Sequence, residues 1–319
     1  MATMKDVAIK ANVSVITVSR VINEPERVKE STRLKILQIM KELNFQQNHT
    51  AKALVTNKTR TIHLFNPKFI DSSEPYTMKL IAGISFELSR NHYSFLLRHE
   101  WSFPHKCDGV IAMGLREGEE ELVLEKMKEP TVLFGRSHHL DWVNIDDVRG
   151  AYEMVHYLIS QGHRKIGMIT IRDSQLFPEE RLKGYKLALG QHQINFDPDL
   201  IRYASMSEAS GYEMGYELIQ KSDVTAIFCM NDLLAIGALR AARDLHKKVP
   251  DDLSIGGYDG VGLEFFAEPP LTTMVQPVYE MGRALAKLLL KRIEHPEKEQ
   301  EFVVFQPKLK SGKSVQRRI

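Results

Sequence analysis

The chain has 319 residues, 43% hydrophobic and 26% charged, with 19 Gly, 13 Pro and a formal charge of +2. At roughly 150 residues per domain this length gives about two domains, each able to bury a core without disulfides or metals; a mini-protein, a disordered tail and a coiled coil are excluded. No run of about 18 apolar residues occurs, Lys5, Asp6 and Lys10 stand where a secretion signal needs an apolar stretch, and Cys107 and Cys229 are the only cysteines, so the expectation is a cytoplasmic protein with no membrane span and no disulfide framework.

Charge is unevenly spread. Residues 1–60 hold seven Lys and four Arg against five acidic residues, a net of +6, and the other 259 carry −4. A basic end on a mildly acidic body fits a polyanion footprint or, equally, a solvated basic face. Within that end, Thr3 followed by Asp6 predicts a capped helix start, with Val7, Ala8 and Ala11 on one face and a stop at Asn12. Ser14 caps a second helix that turns Val18, Val21 and Ile22 inward and Ile16, Thr17, Ser19 and Arg20 outward. A third helix, from Ser31 to Leu43, offers Leu34, Leu37 (or Ile36), Met40 and Leu43 as its apolar stripe. Two helices joined by a turn of about three or four residues form a helix-turn-helix, whose second helix enters the major groove of DNA.

The run MKDVAIKANVSVITVSRVIN (residues 4–23) resembles the N-terminal signature of the lac repressor family (LacI/GalR) of bacterial transcription regulators, and the likeness extends over nearly the whole chain. The resemblance implies that Val15, Ile16 and Arg20 meet base edges. An Arg can pair with guanine O6 and N7, whereas Val and Ile touch methyl groups or exclude polar edges; the alternative is that Val15 or Ile16 packs in the core. Thr3, Ser14, Thr17, Ser19 and Asn23 are expected as phosphate contacts or caps. In FQQNHTAKALVTNKTR (residues 45–60), Asn48, Ala51, Lys52, Ala53 and Leu54 match the family's hinge helix, while Gln46 and Gln47 replace its Arg and Pro. The match places Ala53 and Leu54 at the minor groove, Leu54 as an apolar wedge, on a helix too short to hold itself in water. Without the resemblance the segment reads as an ordinary linker.

From Thr61 onward short β-branched runs alternate with helical patterns. Strands are expected at Thr61–Phe65, Ser94–Leu97, Gly109–Met113, Thr131–Phe134 and Val143–Ile145, with helices around Tyr76–Asn91, Glu117–Met127 and 147–161. The rhythm resumes with strands at Lys165–Thr170, Leu200–Tyr203, Ala226–Met230, Ser254–Gly257, Thr272–Val275 and Phe302–Phe305, and helices at Glu179–His192, Ser207–Lys221, Asp232–His246 and 278–294. This is the βαβ pattern of parallel sheets, with too many strands for one sheet. The expected fold is α/β: a three-helix helix-turn-helix domain (1–46), a hinge (47–60), and two doubly wound subdomains over 61–319, cut at about 61–161 with 291–319, and 162–290. Only about ten residues, Arg98–Cys107, stand where a parallel crossover needs a dozen or so, which predicts an irregular loop in place of a helix.

The runs QGHRKIGMI, ERLKGY, TAIFCMNDLLAIGAL, KVPDDLSIGGYDG and PPLTTMVQPVYEMGRAL are similar to the family's periplasmic-binding-protein-like effector domain, in which a small ligand sits between two subdomains. The match implies ligand contacts at Arg181, Asn231 and Asp259, and, from the other subdomain, at Tyr76, Arg136 and Asp147 (or Asp146). Asp232, opening a helix, reads as an N-cap, and Asp259 has a turn residue as its alternative. There is no nucleophile elbow, phosphate loop or dinucleotide fingerprint, and neither His138-His139 nor His105-Lys106-Cys107 has a second pair at metal-site spacing. No enzyme activity, cofactor or metal is therefore expected. The expectation is a homodimeric DNA-binding regulator, a repressor in the first instance, whose hold on a pseudo-palindromic operator in double-stranded DNA is set by a small-molecule effector, a sugar or sugar derivative. The alternatives are an activator of the same family, a cytoplasmic sugar-binding receptor, and a sugar-modifying enzyme with an appended DNA module.

Overall fold

The computed structural model describes residues 2–45, 58–67, 71–100, 106–116, 118–172 and 175–318. The chain divides into two units, Met1–Thr59 and Arg60–Ile319.

Among the described residues, three helices build the first unit. At the start of α1 (Met4–Ala11) the Thr3 hydroxyl accepts from the Asp6 N–H at 3.3 Å, and the Asp6 carboxylate accepts from the Thr3 N–H at 2.8 Å. This reciprocal cap satisfies donors that a helix start leaves open, and the same bonds hold the Asp6 carboxyl below its usual range. Asn12 ends α1 in the left-handed region at φ 55°. The turn then runs only to Ser14, whose hydroxyl accepts from the Thr17 N–H at 3.1 Å and so starts α2 (Val15–Asn23).

The third helix, α3 (Glu30–Glu42), closes the core, and its packing corrects the expected stripe. Ile36 and Ile39 are buried with Val7, Ala8, Ala11, Val18 and Val21, and Met40 and Leu43 pack against them. Leu34 and Leu37 are 58% and 48% exposed. Steps of three residues drift around a helix, whereas positions 36, 39, 40 and 43 keep to one face, so the stripe that can meet α1 and α2 is the second.

The second unit runs β1 (Thr61–Phe65), α4 (Pro75–Arg90), β2 (Ser94–Arg98), β3 (Gly109–Met113), α5 (Glu119–Lys126), β4 (Thr131–Phe134) and β5 (Asp141–Ile145). It continues with α6 (Asp147–Ser160), β6 (Ile166–Ile171), α7 (Leu176–Gln191), β7 (Ile201–Ala204), α8 (Glu208–Lys221), β8 (Ala226–Cys229), α9 (Asp232–Asp244) and β9 (Ser254–Asp259). Last come β10 (Thr272–Val275), α10 (Val278–Glu294), β11 (Phe302–Phe305) and β12 (Lys308–Lys310). The strands form two six-stranded sheets, ordered β11-β5-β4-β3-β1-β2 and β12-β10-β9-β8-β6-β7. Within the described residues every pairing is parallel except β10 with β12, the short strand that the sequence pattern did not reveal.

Each sheet has its own core, and the helices are shared out differently from the expected cut. Ala151, Met154, Val155 and Leu158 of α6 are buried in the core of the second sheet. Val278, Met281, Leu285 and Leu289 of α10 are buried with Leu80, Ile84 and Leu88 of α4 in the core of the first. The segment after β12 returns to the second core through Val315. The chain thus changes sheet after β5, after β10 and after β11, rather than near residues 161 and 290. Amphipathic periodicity shows that a helix has an apolar face but not which sheet receives it. The α4–α10 contact is a backbone approach: a Cβ on Gly83 would lie 2.1 Å from the Tyr279 carbonyl oxygen, and one on Gly282 2.2 Å from that of Leu80.

His99, Glu100, Lys106 and Cys107, in the short β2–β3 connection, are not helical; residues 101–105, half of the expected irregular loop, lie outside the described residues. The expected hinge helix, including Ala53 and Leu54, also lies outside them. No described helix is long and apolar enough to cross a membrane.

The corrected stripe has a direct consequence. Ile36→Ala, at a fully buried position, is expected to destabilise the first unit by about 2–5 kcal/mol, whereas Leu37→Ala on the exposed face changes it by about 0.5 kcal/mol or less. Urea unfolding of the two variants, followed by circular dichroism, checks this; equal losses would contradict the register.

Candidate functional site

In the first unit, the start of α2 forms an exposed patch. Val15 and Ile16 are 42% and 64% exposed, so neither packs in the core, and Arg20 is exposed one turn further on. Thr3 and Ser14 are exposed as well, each already capping a helix, and Thr17 and Ser19 are half-buried beside them. The Ser14 and Thr17 hydroxyls share a hydrogen bond at 2.9 Å. Asn23 ends α2, with its side chain outside what is described. An ion pair between Lys10 and Glu42 at 2.9 Å ties α1 to the end of α3. The patch therefore combines a helix N-terminus, small hydroxyls, one long cation and two apolar side chains, a set suited to phosphates and base edges together.

In the second unit the polar network is buried, near the carboxyl ends of strands, where doubly wound sheets hold ligands. Arg181 on α7 is 5% exposed. Its Nε donates to Asp147 Oδ1 at 2.7 Å, and its Nη1 donates to the Met230 carbonyl and to Asp259 Oδ1, the latter at 3.5 Å. The guanidinium carbon stands 3.8 Å from the centre of the Tyr258 ring and 5.1 Å from that of Phe177. Asp259 Oδ1 also accepts from Gln276 Nε2 at 2.8 Å, and Gln276 Oε1 accepts from the Tyr76 hydroxyl at 3.0 Å. One chain of contacts thus runs from α4 to the start of α6.

Burial opposes every charge in this network. It works against the Arg181 cation, but Asp147 and Asp259 more than offset it and raise the hold on its proton above that of an ordinary arginine. Burial likewise pushes the Asp147 and Asp259 carboxyls upward, against the pull of Arg181. Asp259 has a positive φ of 106°; a non-glycine residue there costs about 1–3 kcal/mol and persists only where its surroundings over-determine it, as at ligand sites.

Tyr76, Asp147, Arg181 and Asp259 are brought together as expected, Asp146 being instead the cap of α6. Three expectations change. Asn231 caps α9, its Oδ1 accepting from the Leu234 N–H at 2.8 Å, so its carbonyl oxygen is already engaged at the edge of the site. Asp232, expected to be that cap, is 1% exposed and accepts from the Thr273 hydroxyl at 2.6 Å and the Gly260 N–H at 2.8 Å, fixing the turn behind Asp259. It comes so close to β9 that a Cβ on Gly257 would lie 2.3 Å from its Oδ1. Arg136 does not join the network; its Nε pairs with Glu180 Oε1 at 3.1 Å, next to Arg181 in the chain. Gln276 and Tyr258 were not singled out from sequence. Gln276 carried the same signal as Asn231 and Asp259, a polar residue just past a strand, whereas Tyr258 within β9 carried none. No cluster of three metal-ligating side chains exists among the described residues.

Residues 3–48 match the model of bacterial regulatory proteins, lacI family, and residues 155–315 that of a periplasmic binding protein-like domain. The chain is 38% identical over 312 residues to the HTH-type transcriptional regulator YvdE of Bacillus subtilis (strain 168), covering 97% of this chain and 98% of that one. The HTH-type transcriptional repressor CytR of Escherichia coli (strain K12) is 33% identical, covering 92% and 90%. Among solved structures, the transcriptional regulator CelR–cellobiose complex aligns with a TM-score of 0.75 at 30% identity, covering 98% of this chain and all of that one. The lac repressor dimer bound to operator and the anti-inducer ONPF aligns with a TM-score of 0.83 at 24% identity, 99% of each chain covered, a likeness of fold. These relatives are transcriptional regulators rather than enzymes.

Asp232 gives the site a pH signature. Burial pushes its carboxyl from 3.8 up to about 7. Across that window the folded state binds more protons than the unfolded one, so the contribution is present at low pH and is lost as pH rises from about 4 to about 7. Asp232→Asn, which cannot ionise, is expected to flatten the pH dependence of the unfolding free energy over this range. A slope unchanged in urea titrations would refute the assignment.

Proposed function

Since the chain belongs to the lacI family of bacterial regulatory proteins, we propose that it is a cytoplasmic, homodimeric repressor, nucleoid-associated when bound to DNA, that holds a pseudo-palindromic operator under the control of a small polar effector, a sugar or sugar derivative. The observation that carries this reading is the coexistence, in one chain, of an exposed helix start bearing Val15, Ile16 and Arg20 and a buried Arg181–carboxylate network between two doubly wound sheets. CelR holding cellobiose and the lac repressor dimer holding an operator support the two halves of the reading.

On DNA, α2 lies in the major groove. Arg20 pairs with a guanine, Val15 and Ile16 meet thymine methyls, and Thr3, Ser14, Thr17, Ser19 and Asn23 steady the helix on phosphates. Ala53 and Leu54 enter the minor groove. Two copies on a two-fold axis read half-sites about one helical turn apart. The effector contacts Tyr76, Asp147, Arg181, Asn231 and Asp259, with Arg136 at the rim, and favours one arrangement of the two sheets. A differential affinity of about 1.4 kcal/mol between DNA-competent and incompetent arrangements changes operator occupancy tenfold.

Two substitutions separate these roles, both read by fluorescence anisotropy on DNA flanking the protein's own gene, at two salt concentrations, with and without sugars. Arg20→Ala is expected to lose about 1–3 kcal/mol of discrimination between operator and random DNA while keeping salt-sensitive non-specific binding; equal loss on all sequences would argue against base reading. Asp259→Ala is expected to keep operator affinity and lose the effector response, and a normal response would place the effector elsewhere.

A further inference from the structure

Between α6 and α7 lies an open groove of about 1170 Å³, lined by none of Asp147, Arg181, Asp259 and Gln276. The two helices run side by side in the same sense: a Cβ on Gly184 of α7 would lie 2.2 Å from the Val148 carbonyl oxygen of α6, and further along the Tyr152 hydroxyl donates to Gln191 Oε1. On α7 the lining follows one helical face from Glu179 to Gln191, at spacings of three and four residues, about 18 Å of helix. Val148 and Tyr152 from α6 and Leu182 and Leu187 from α7 supply its apolar surface, with Leu187 49% exposed.

Gly190 has no partner that calls for a glycine. A glycine inside a helix weakens it relative to alanine, and at Gly83, Gly184 and Gly282 a neighbouring carbonyl oxygen within 2.2 Å of a Cβ position demands it. At Gly190, exposed in the last turn of α7, a Cβ would meet nothing within 4 Å. A bare backbone at such a position permits close approach from outside. The charges of the groove are also segregated. Asp146 and Glu179 line it near the helix starts, and Asp146 already accepts from the Arg149 N–H and from Gln306. Arg149 pairs with Glu153. Lys183 and Lys186, further along α7, are exposed and have no carboxylate partner among the described residues, Lys186 lying 4.5 Å from the centre of the Phe196 ring. The stretch leading to Gly190 is therefore positive.

An extended peptide would find no backbone partners here, because the N–H and C=O groups within both helices bond to their own helix. A helix needs none. It lays an apolar row at i, i+3, i+4 and i+7 into such a groove, comes closest where the wall lacks a side chain, and carries its charges on either side of the row. We propose that the α6–α7 groove docks an amphipathic helix of another protein, packed on Leu182 and Leu187, crossing at Gly190, with carboxylates beside its apolar row that meet Lys183 and Lys186. This surface is separate from the effector cleft and does not rest on the reading of that cleft.

The test selects binders of the full chain from a displayed library of helical peptides about four turns long, with leucine fixed at i, i+3, i+4 and i+7 and the flanking positions free to be Glu, Lys, Gln or Ala. The selected peptides are expected to be rich in Glu beside the leucine row. Their affinity, read by fluorescence anisotropy, is expected to fall about tenfold or more, a difference of about 1.4 kcal/mol, in Gly190→Trp, which fills the groove from an open position, and in the double variant Lys183→Glu with Lys186→Glu. Replacing the peptide's Glu by Lys is expected to restore binding to the double variant, a result that damage to the fold does not mimic. Thermal midpoints by circular dichroism are expected to stay at the parent value. Selection of no helix, or of helices indifferent to Gly190→Trp, overturns the proposal. Peptides lost in Gly190→Trp but unaffected by the lysine changes overturn the acidic partner. Sedimentation showing a higher oligomer of the chain alone that Gly190→Trp dissolves gives the groove to a second copy and overturns the proposal too.

Discussion

A guanidinium cannot be buried alone, and the second unit is organised around that constraint. Removing Arg181 from water without partners would leave an uncompensated charge costing several kcal/mol. Its partners arrive from three separate stretches of chain: Asp147 at the start of α6, the Met230 carbonyl after β8, and Asp259 at the end of β9. Each stands at or just past a strand end, so satisfying one cation fixes how three loops approach each other. Asp259 then holds Gln276, and Gln276 holds Tyr76 on α4, which belongs to the other sheet. Behind Asp259, whose φ is positive, the buried Asp232 accepts from the Gly260 N–H.

Such a network is poised rather than inert. Tyr76 to Gln276 and Arg136 to Glu180 are polar links between elements of the two sheets, and Tyr76 also packs against the core of the first. Each sheet has its own core, the chain passes between the sheets three times, and Val261, after β9, packs against the core of the first sheet. On the proposed function, a ligand that bonds to Asp147 and Asp259 adds to the side of the balance it fits best. The energies required are those of a few hydrogen bonds, not of refolding.

The first unit spends its apolar residues differently. Among the described residues its core is small, seven buried side chains on three short helices, and yet Val15 and Ile16 are kept out of it. Ser14 fixes where α2 begins, and Val18 and Val21, rather than Val15 and Ile16, supply its buried face. A local departure from burial of this sort fits the contact surface that the proposed function places there.

Local chemistry was legible in the sequence. Thr3 with Asp6, Asn12 and Ser14 announce the helix-turn-helix because caps and left-handed turns depend on neighbours within a few residues. Alternation of β-branched runs with amphipathic stretches announces two doubly wound sheets for the same reason. The family resemblance, not local chemistry, pointed to Asp259 and Asn231; Gln276, like them a polar residue at or just past a strand end, was not among the matched positions. Only the tertiary structure decided which sheet each helix joins, since α6 and α10 have apolar faces that would suit either, and that β12 pairs antiparallel with β10. It also decided that Asp232 lies behind the site rather than at a helix cap, and that Arg136 pairs with Glu180. These outcomes depend on which charges and which faces meet across long stretches of chain, a matter of three-dimensional packing and desolvation that no short window of sequence contains.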